Sequence, residues 1–441
     1  MKKEKVIVIG AGMAGIMAGR TLLDAGYEVV VLEARDRVGG RTHTDHSLGD
    51  SVDLGGAWIH GVDGNPLTPL ADELNIETGH TDFLNRTGHA VQSYDDDGTP
   101  LDQKEYAKGL QLALGSFYLA SGSELYDRPK EFKSFRDLYD HGLPKPKGLS
   151  RAAELGFKYQ SLISTEYVSA ADAEEIDYTL HQHVMLPGGD FLVHGGGFNK
   201  ITDHLAAGLD IRTGSPVRKI TTGASHVQIE VEAEKDPIVC DRVVITVPLG
   251  VLQSGQITFD PPLPKEKQET IGRIGFGVYE KIAMRFDRFY WPKEPQRFNY
   301  MSTGEPSLFH AWLNIGHYTG EPIIVAYHSH RRAKHINTLS DDELLEQTLD
   351  AMQIMFGNNG FGDIPQPEAY VRTGWEHDPY SCGSYSFDRV GQRADDRRIL
   401  AKHVDSRLFF AGEATHPKFY GTIHGAYETG IRAAQEIISA D

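Results

Sequence analysis

Residues 6–15 read Val-Ile-Val-Ile-Gly-Ala-Gly-Met-Ala-Gly. The β-branched run Val6–Ile9 suits a strand buried on both faces. The glycines after it, Gly10, Gly12 and Gly15, match G-x-G-x-x-G. They serve a tight turn, close backbone approach to a pyrophosphate, and close packing of a helix on a strand. A helix fits Met13 to Ala25, with Ala14, Met17, Ala18 and Leu22 on one face, and Gly26 can stop it. A second strand, Glu28 to Leu32, leads into Glu33, near the ~20-residue spacing at which an acid accepts hydrogen bonds from a ribose. Free N–H groups at the helix N-terminus would face phosphates. A glycine turn alone also occurs without a ligand. Strand, turn, helix, strand and acid in register predict a Rossmann-like dinucleotide unit in an α/β fold.

The 441 residues suit two or three domains. Hydrophobic content of 40% with 24% charged residues is that of an ordinary globular chain. With 62 Asp+Glu against 44 Lys+Arg the net charge is −18, which argues against nucleic acid or an anionic membrane as partner. A cationic substrate is compatible with that charge, as is a solvated acidic surface. Cys240 and Cys382 are too few for a disulfide scaffold and read as small buried hydrophobes. The first apolar run is too short for a signal-peptide core, and no stretch has the ~18 apolar residues of a membrane span. A cytoplasmic location and a monomer or homodimer are expected.

The glycine fingerprint does not separate NAD from FAD. The next segment, Val31 to Thr44 (VLEARDRVGGRTHT), adds Arg35, Gly40 and Arg41 directly after the ribose acid. This segment resembles the FAD-binding segment of the flavin-dependent amine oxidases, the monoamine and polyamine oxidases and their relatives. The resemblance continues through Asp53 to Ala71, Val243 to Pro264, Tyr279 to Pro292 and Leu408 to Ala434. It is nearest to the plant-type and bacterial polyamine oxidases. It implies a Rossmann-like FAD-binding domain (residues 1–85, 195–255 and 394–441) interleaved with an α+β substrate-binding domain (86–194 and 256–393). Helix-period segments between Gly88 and Met185, and a capping-box helix from Ser340 to about Gly357, would belong to the latter.

For FAD, the resemblance implies contacts from Gly56, Ala57 and Trp58, from Val217 at the adenine, and from Gly412 and Glu413 near the ribityl–pyrophosphate region. Thr422, Ile423 and Ala426 would begin a helix whose N-terminus faces the flavin and stabilises its reduced, anionic form. Arg41 would meet the pyrophosphate. Cofactor attachment should be non-covalent, because Ser384 stands where monoamine oxidases carry the linking cysteine and Cys382 lies two positions earlier.

Four residues are expected to carry the chemistry. Lys281 sits in an apolar strand pattern where lysine is unusual; it is either a strand-edge residue reaching solvent or, as the resemblance implies, the holder of a water near the flavin. A cation there would favour electron transfer to O2. Tyr385 would form one aromatic wall before the flavin. The position of the opposite wall holds Thr422, which departs from the monoamine-oxidase pattern; Tyr420 could compensate. His60 could hydrogen-bond an amine or relay a proton.

The implied activity is oxidation of an amine, most plausibly a polyamine, to an imine that hydrolyses, with O2 reduced to hydrogen peroxide. Rival readings are an amino-acid or monoamine oxidase and a demethylase-like flavoprotein binder. An amino-acid oxidase would need an arginine in its pocket. The chain has no candidate for the long helical tower of the demethylases. No metal site is expected; His328-Ser329-His330 fits an exposed strand face. Glu166, Glu376 and Asp378 are candidate partners for distal ammonium groups.

Overall fold

A computed structural model describes residues 4–83, 85, 87–120, 132–143, 145–180, 186–232, 234–302 and 308–440. Within the helix-period region expected between Gly88 and Met185 a helix forms over Gln103–Ala120, and the residues that follow it, 121–131, lie outside the described residues.

The first strand, Lys5–Ile9, is central in a five-stranded parallel sheet, ordered Leu408–Phe410, Arg242–Ile245, Lys5–Ile9, Glu28–Leu32, Ile211–Arg212. Its unbroken apolar run has a direct cause. Val6 and Val8 pack under the helices Met13–Asp24 and Ile423–Ile438 with Ala14, Ala18 and Ala433. Ile7 and Ile9 face the other way, onto Ile220, Val227 and Ile229 of a four-stranded sheet. Both faces are covered, so no position tolerates a polar side chain.

The two helices cross closely because glycine and alanine meet there: a Cβ on Gly430 would stand 2.2 Å from the Ala14 carbonyl oxygen. Gly15 works the same way within the turn, where a Cβ would fall 1.8 Å from the Gly10 carbonyl oxygen.

A second, six-stranded sheet is ordered Ala369–Arg372, Tyr279–Arg285, Ile323–Ser329, Ala311–Asn314, Arg297–Tyr300, Val91–Tyr94. All of its pairs are antiparallel except the last. Ile282, Met284, Trp312 and Ile324 bury one face against the helix Asp341–Met355. That helix starts in the expected capping box, Ser340 Oγ accepting from Glu343 N while a Glu343 carboxylate oxygen accepts from Ser340 N. The other face carries Ala283, Val325, Tyr327 and Ala311 and packs on Tyr106, Leu155 and Tyr159 of the helical insertion.

A three-stranded antiparallel sheet, Trp58–His60, Asp190–Val193 and Thr78–Thr81, lies between these layers in sequence. Asp190–Val193 thus belongs with strands of the first segment, although the sequence boundary had set it in the substrate-binding segment.

Two expectations change. His328, Ser329 and His330 are all buried, not on an exposed face; His328 packs edge-on to Phe309 with centroids 5.1 Å apart, and burial lowers its pKa to about 3. Cys240 is buried as expected, but Cys382 is only half-buried, with φ +54°. Among the described residues no helix is long and apolar enough to cross a membrane.

Gly430→Ala is expected to destabilise the fold by about 1–3 kcal/mol through overpacking at this crossing. Urea unfolding measures it, and an unchanged midpoint would show that the crossing can relax.

Candidate active site

One cavity of about 1040 Å³ runs from the glycine turn to Lys281 and beyond. At its first end the Gly10–Gly12 turn opens onto the N-terminus of the helix Met13–Asp24. Gly10 has φ +100°, where a side chain would be strained. Glu33 braces this turn: its carboxylate accepts from Ala11 N at 2.7 Å and from Arg35 N at 2.9 Å. Gly40 comes against Gly12, where a Cβ would stand 3.2 Å from the Gly12 Cα, so a narrow glycine-lined channel results. Arg35 is held at the rim by Asp378 at 2.7 Å.

Midway, Glu413 is almost fully buried and bonded to Arg41 Nη1 at 2.9 Å, Ser386 Oγ at 2.6 Å and Gly421 N at 2.8 Å. Burial would raise its pKa, but the Arg41 charge and these hydrogen bonds outweigh it and hold the carboxyl below the usual range. Gly56 abuts Ile423: a Cβ there would meet its Cδ1 at 2.7 Å.

Lys281 projects from the inner face of the six-stranded sheet. Its strand is flanked on both sides, so it is not an edge residue. The side chain is 4% exposed and donates to the carbonyl oxygens of Asp53 at 2.7 Å and Gly55 at 2.6 Å. Burial lowers its pKa, partly offset by Asp53, whose own pKa burial raises. An ammonium has three N–H donors, so the third is left for the cavity.

The aromatic lining follows the sheet. Tyr385 donates to the Tyr167 carbonyl oxygen at 2.8 Å, which pins its ring. Tyr279 lies 6.0 Å from Tyr385 and 5.6 Å from Tyr327, and Trp58 lies 6.1 Å from Tyr327. Trp58 Nε1 donates to Thr81 Oγ1. His60 Nδ1 is 3.0 Å from an Asp190 carboxylate oxygen. Because that oxygen is an acceptor, Nδ1 donates, which in the neutral ring makes Nε2 the acceptor.

Every residue expected to bind the cofactor lines this cavity except Gly15, which packs the turn from behind, and so do Lys281, Tyr385 and His60. Thr422 also lines it, but its hydroxyl caps the helix Ile423–Ile438, accepting from Gly425 N and donating to the Phe419 carbonyl oxygen. It is therefore no aromatic wall and no free donor. Tyr420 also lines the cavity, with its ring stacked on the Arg397 guanidinium, 3.7 Å from the centroid.

The three carboxylates proposed for distal ammonium groups do not line the cavity. Glu166 is buried in an ion pair with Arg332 at 2.9 Å, Glu376 accepts from Asn337, and Asp378 holds Arg35. Asp82 and Asp190 line it instead. Tyr279, Tyr327, Phe83 and Arg297 were also missed. Strand alternation was the available signal for Tyr279 alone, since it shares a face with Lys281 in any strand reading.

Asp172, Glu175 and His330 converge elsewhere, and Arg331 lies 3.5 Å from Asp172, so a cation already faces those acids.

Comparison with known proteins bears on this geometry. The profile of the flavin containing amine oxidoreductases matches residues 13–438. Polyamine oxidase 2 of Arabidopsis thaliana is 36% identical, with 99% of this chain and 88% of that protein aligned. A lysine-specific histone demethylase 1 homolog of the same plant is 35% identical, but the alignment spans only 58% of it. The solved structure of a putrescine oxidase bound to putrescine shares the fold, with TM-score 0.76 and 21% identity over 99% of both chains.

The glycine channel, the braced Glu33 and the buried Arg41–Glu413 pair fit a dinucleotide that spans the cavity. Glu33→Ala frees Ala11 N and removes a ribose acceptor. It is expected to weaken FAD retention about 10- to 100-fold, on the order of one to two hydrogen bonds to a charged group. The 450 nm to 280 nm absorbance ratio after dialysis checks this.

Proposed function

This chain belongs to the flavin containing amine oxidoreductase family, and on that premise we propose that it oxidises an amine of the polyamine class. The amine becomes an imine, water hydrolyses the imine to an aldehyde and a shorter amine, and O2 is reduced to hydrogen peroxide. FAD, when bound, would supply the chemistry that the side chains lack, hydride acceptance and two-electron reduction of O2.

The observation that carries the proposal is a buried lysine at the floor of a tyrosine-lined cavity continuous with the dinucleotide channel. The aromatic surface of Tyr385, Tyr279 and Tyr327 excludes water and presents ring faces to a cationic or neutral amine. His60 Nε2 can accept an N–H of the amine, with Asp190 fixing the ring. Lys281, with one N–H free, can hold a water at Nζ for imine hydrolysis and places positive charge where O2 gains electrons.

The tie to polyamines comes from relatives named as polyamine oxidases. Among the described residues the longest helix has 18 residues, so nothing there resembles the tower expected of a demethylase. Non-covalent FAD belongs to the same proposal. Ser384 is bonded through Oγ to the backbone of Tyr279, and Cys382 does not line the cavity. Acid precipitation should therefore release all yellow colour from the pellet.

The substrate test is anaerobic mixing with an amine panel. Flavin bleaching by di- or triamines supports the proposal, and bleaching by monoamines alone would replace it.

Lys281→Met is expected to slow flavin reoxidation by O2 about 10- to 100-fold while FAD stays bound. The pH dependence has a definite sign. Because burial lowers the Lys281 pKa, the ammonium is present below that value and lost as pH rises through it, earlier than for an exposed lysine. Wild-type reoxidation should thus fall on the alkaline side, and the variant should be flat there. Parallel profiles in stopped-flow would remove the lysine from this role.

A further inference from the structure

Arg297 lies on the inner face of the six-stranded sheet, 8% exposed, and lines the same cavity as Lys281. A guanidinium has five N–H donors. Among the described residues one side-chain group answers them, the Tyr159 hydroxyl at 3.2 Å, and the Phe83 ring stacks 4.8 Å away. No carboxylate forms an ion pair with it among the described residues. Asp190 is committed to His60 and Gly61, and Asp82 accepts from Thr87 N. A buried charge without a counter-ion is costly unless something pairs with it. Other buried arginines of this chain have such a partner: Arg332 has Glu166 and Arg397 has Asp388.

The sheet register gives the scale. Lys281 pairs with Tyr327, Tyr327 with Ala311, and Ala311 with Asn299. Arg297 is the next inward residue on that fourth strand, so three strand spacings of about 4.8 Å and an offset of about 7 Å along the strand put the two backbones roughly 16 Å apart. The rings of Tyr327, Trp58 and Phe83 link the two cations in sequence, each in contact with the next. An extended substrate with its reacting amine near Lys281 would therefore bring its far end to Arg297.

We propose that Arg297 is a specificity-determining residue, and that the substrate is a polyamine-type amine whose far end carries a carboxylate in place of the last ammonium. The inference rests on the amine-oxidising reading of this cavity. A distal ammonium would meet like charge at low dielectric, whereas a carboxylate would accept a two-pronged pair of hydrogen bonds from the planar fork.

The test uses the FAD-loaded enzyme and two compounds that differ at one end: spermidine, and N-(4-aminobutyl)-β-alanine, in which a carboxylate replaces the terminal aminomethyl group. Anaerobic flavin reduction is followed against concentration. Wild type is expected to bind the carboxylate compound about 100-fold more tightly than spermidine. Arg297→Met should abolish that preference through the apparent dissociation constant, with the limiting reduction rate within a few-fold. Arg297→Lys, which keeps the charge, should restore part of it.

A second arm titrates pentanoate, which has no oxidisable amine, by calorimetry. Binding by wild type and not by Arg297→Met supports the proposal without turnover. If both amines reduce the flavin without preference and pentanoate does not bind, the carboxylate site is overturned while the oxidase reading stands. If pentanoate binds but no amine reduces the flavin, the oxidase reading fails and the anion site stands. Should Arg297→Met not fold, the wild-type preference and the pentanoate titration decide.

Discussion

The Lys281 ammonium is held by the carbonyl oxygens of Asp53 and Gly55, and this contact joins two parts of the chain that are far apart in sequence. Lys281 belongs to the six-stranded sheet; Asp53 and Gly55 belong to the loop that follows the glycine channel. A charge this deeply buried cannot be left without partners, so the sheet and the loop must meet here. Asp53 adds to the constraint. Its carboxyl accepts from Thr44 Oγ1 and Phe198 N, which ties the loop back to the segment after the second parallel strand. The position of the tyrosine-lined end relative to the glycine channel follows from this joint.

Around it the side chains divide the work. The channel end is built from backbone and glycine, because a pyrophosphate needs close approach and N–H groups more than side chains. The far end is built from rings, because aromatic surface orients an organic amine and excludes water. Charges are few inside and most are assigned, Arg41 with Glu413, Lys281 with two carbonyls and His60 with Asp190; Arg297 has no carboxylate partner among the described residues. The net charge of −18 has little part in this, since many acids sit in turns and helix starts such as Asp95–Asp97 and Asp341–Glu343.

Much of the cofactor half was legible in the chain itself. Val6–Gly15 and Glu33 specify strand, turn and acid through local rules: β-branched residues need burial, glycine alone tolerates the turn, and the spacing of a βαβ unit is fixed by element lengths. Lys281 was legible because a lysine inside an apolar strand pattern breaks a local rule. Thr422 was legible as a helix start, but not the use of its hydroxyl, because a hydroxyl that caps a helix and one that faces a ligand look the same in sequence. Glu166, Glu376 and Asp378 were misplaced for a related reason: proximity in sequence to pocket segments says nothing about which cation an acid meets.

The sequence by itself thus determined the parallel-sheet unit, the dinucleotide turn and the lysine that breaks an apolar strand, since each depends on neighbours within about thirty residues. Only the tertiary structure decided which acids and which arginine face the cavity. Arg297 and Lys281 share a face of one sheet only after the strand order is known, and that order is set by long-range pairing between strands with long segments of chain between them. Charge pairing is a property of distance in space, and local rules do not carry it.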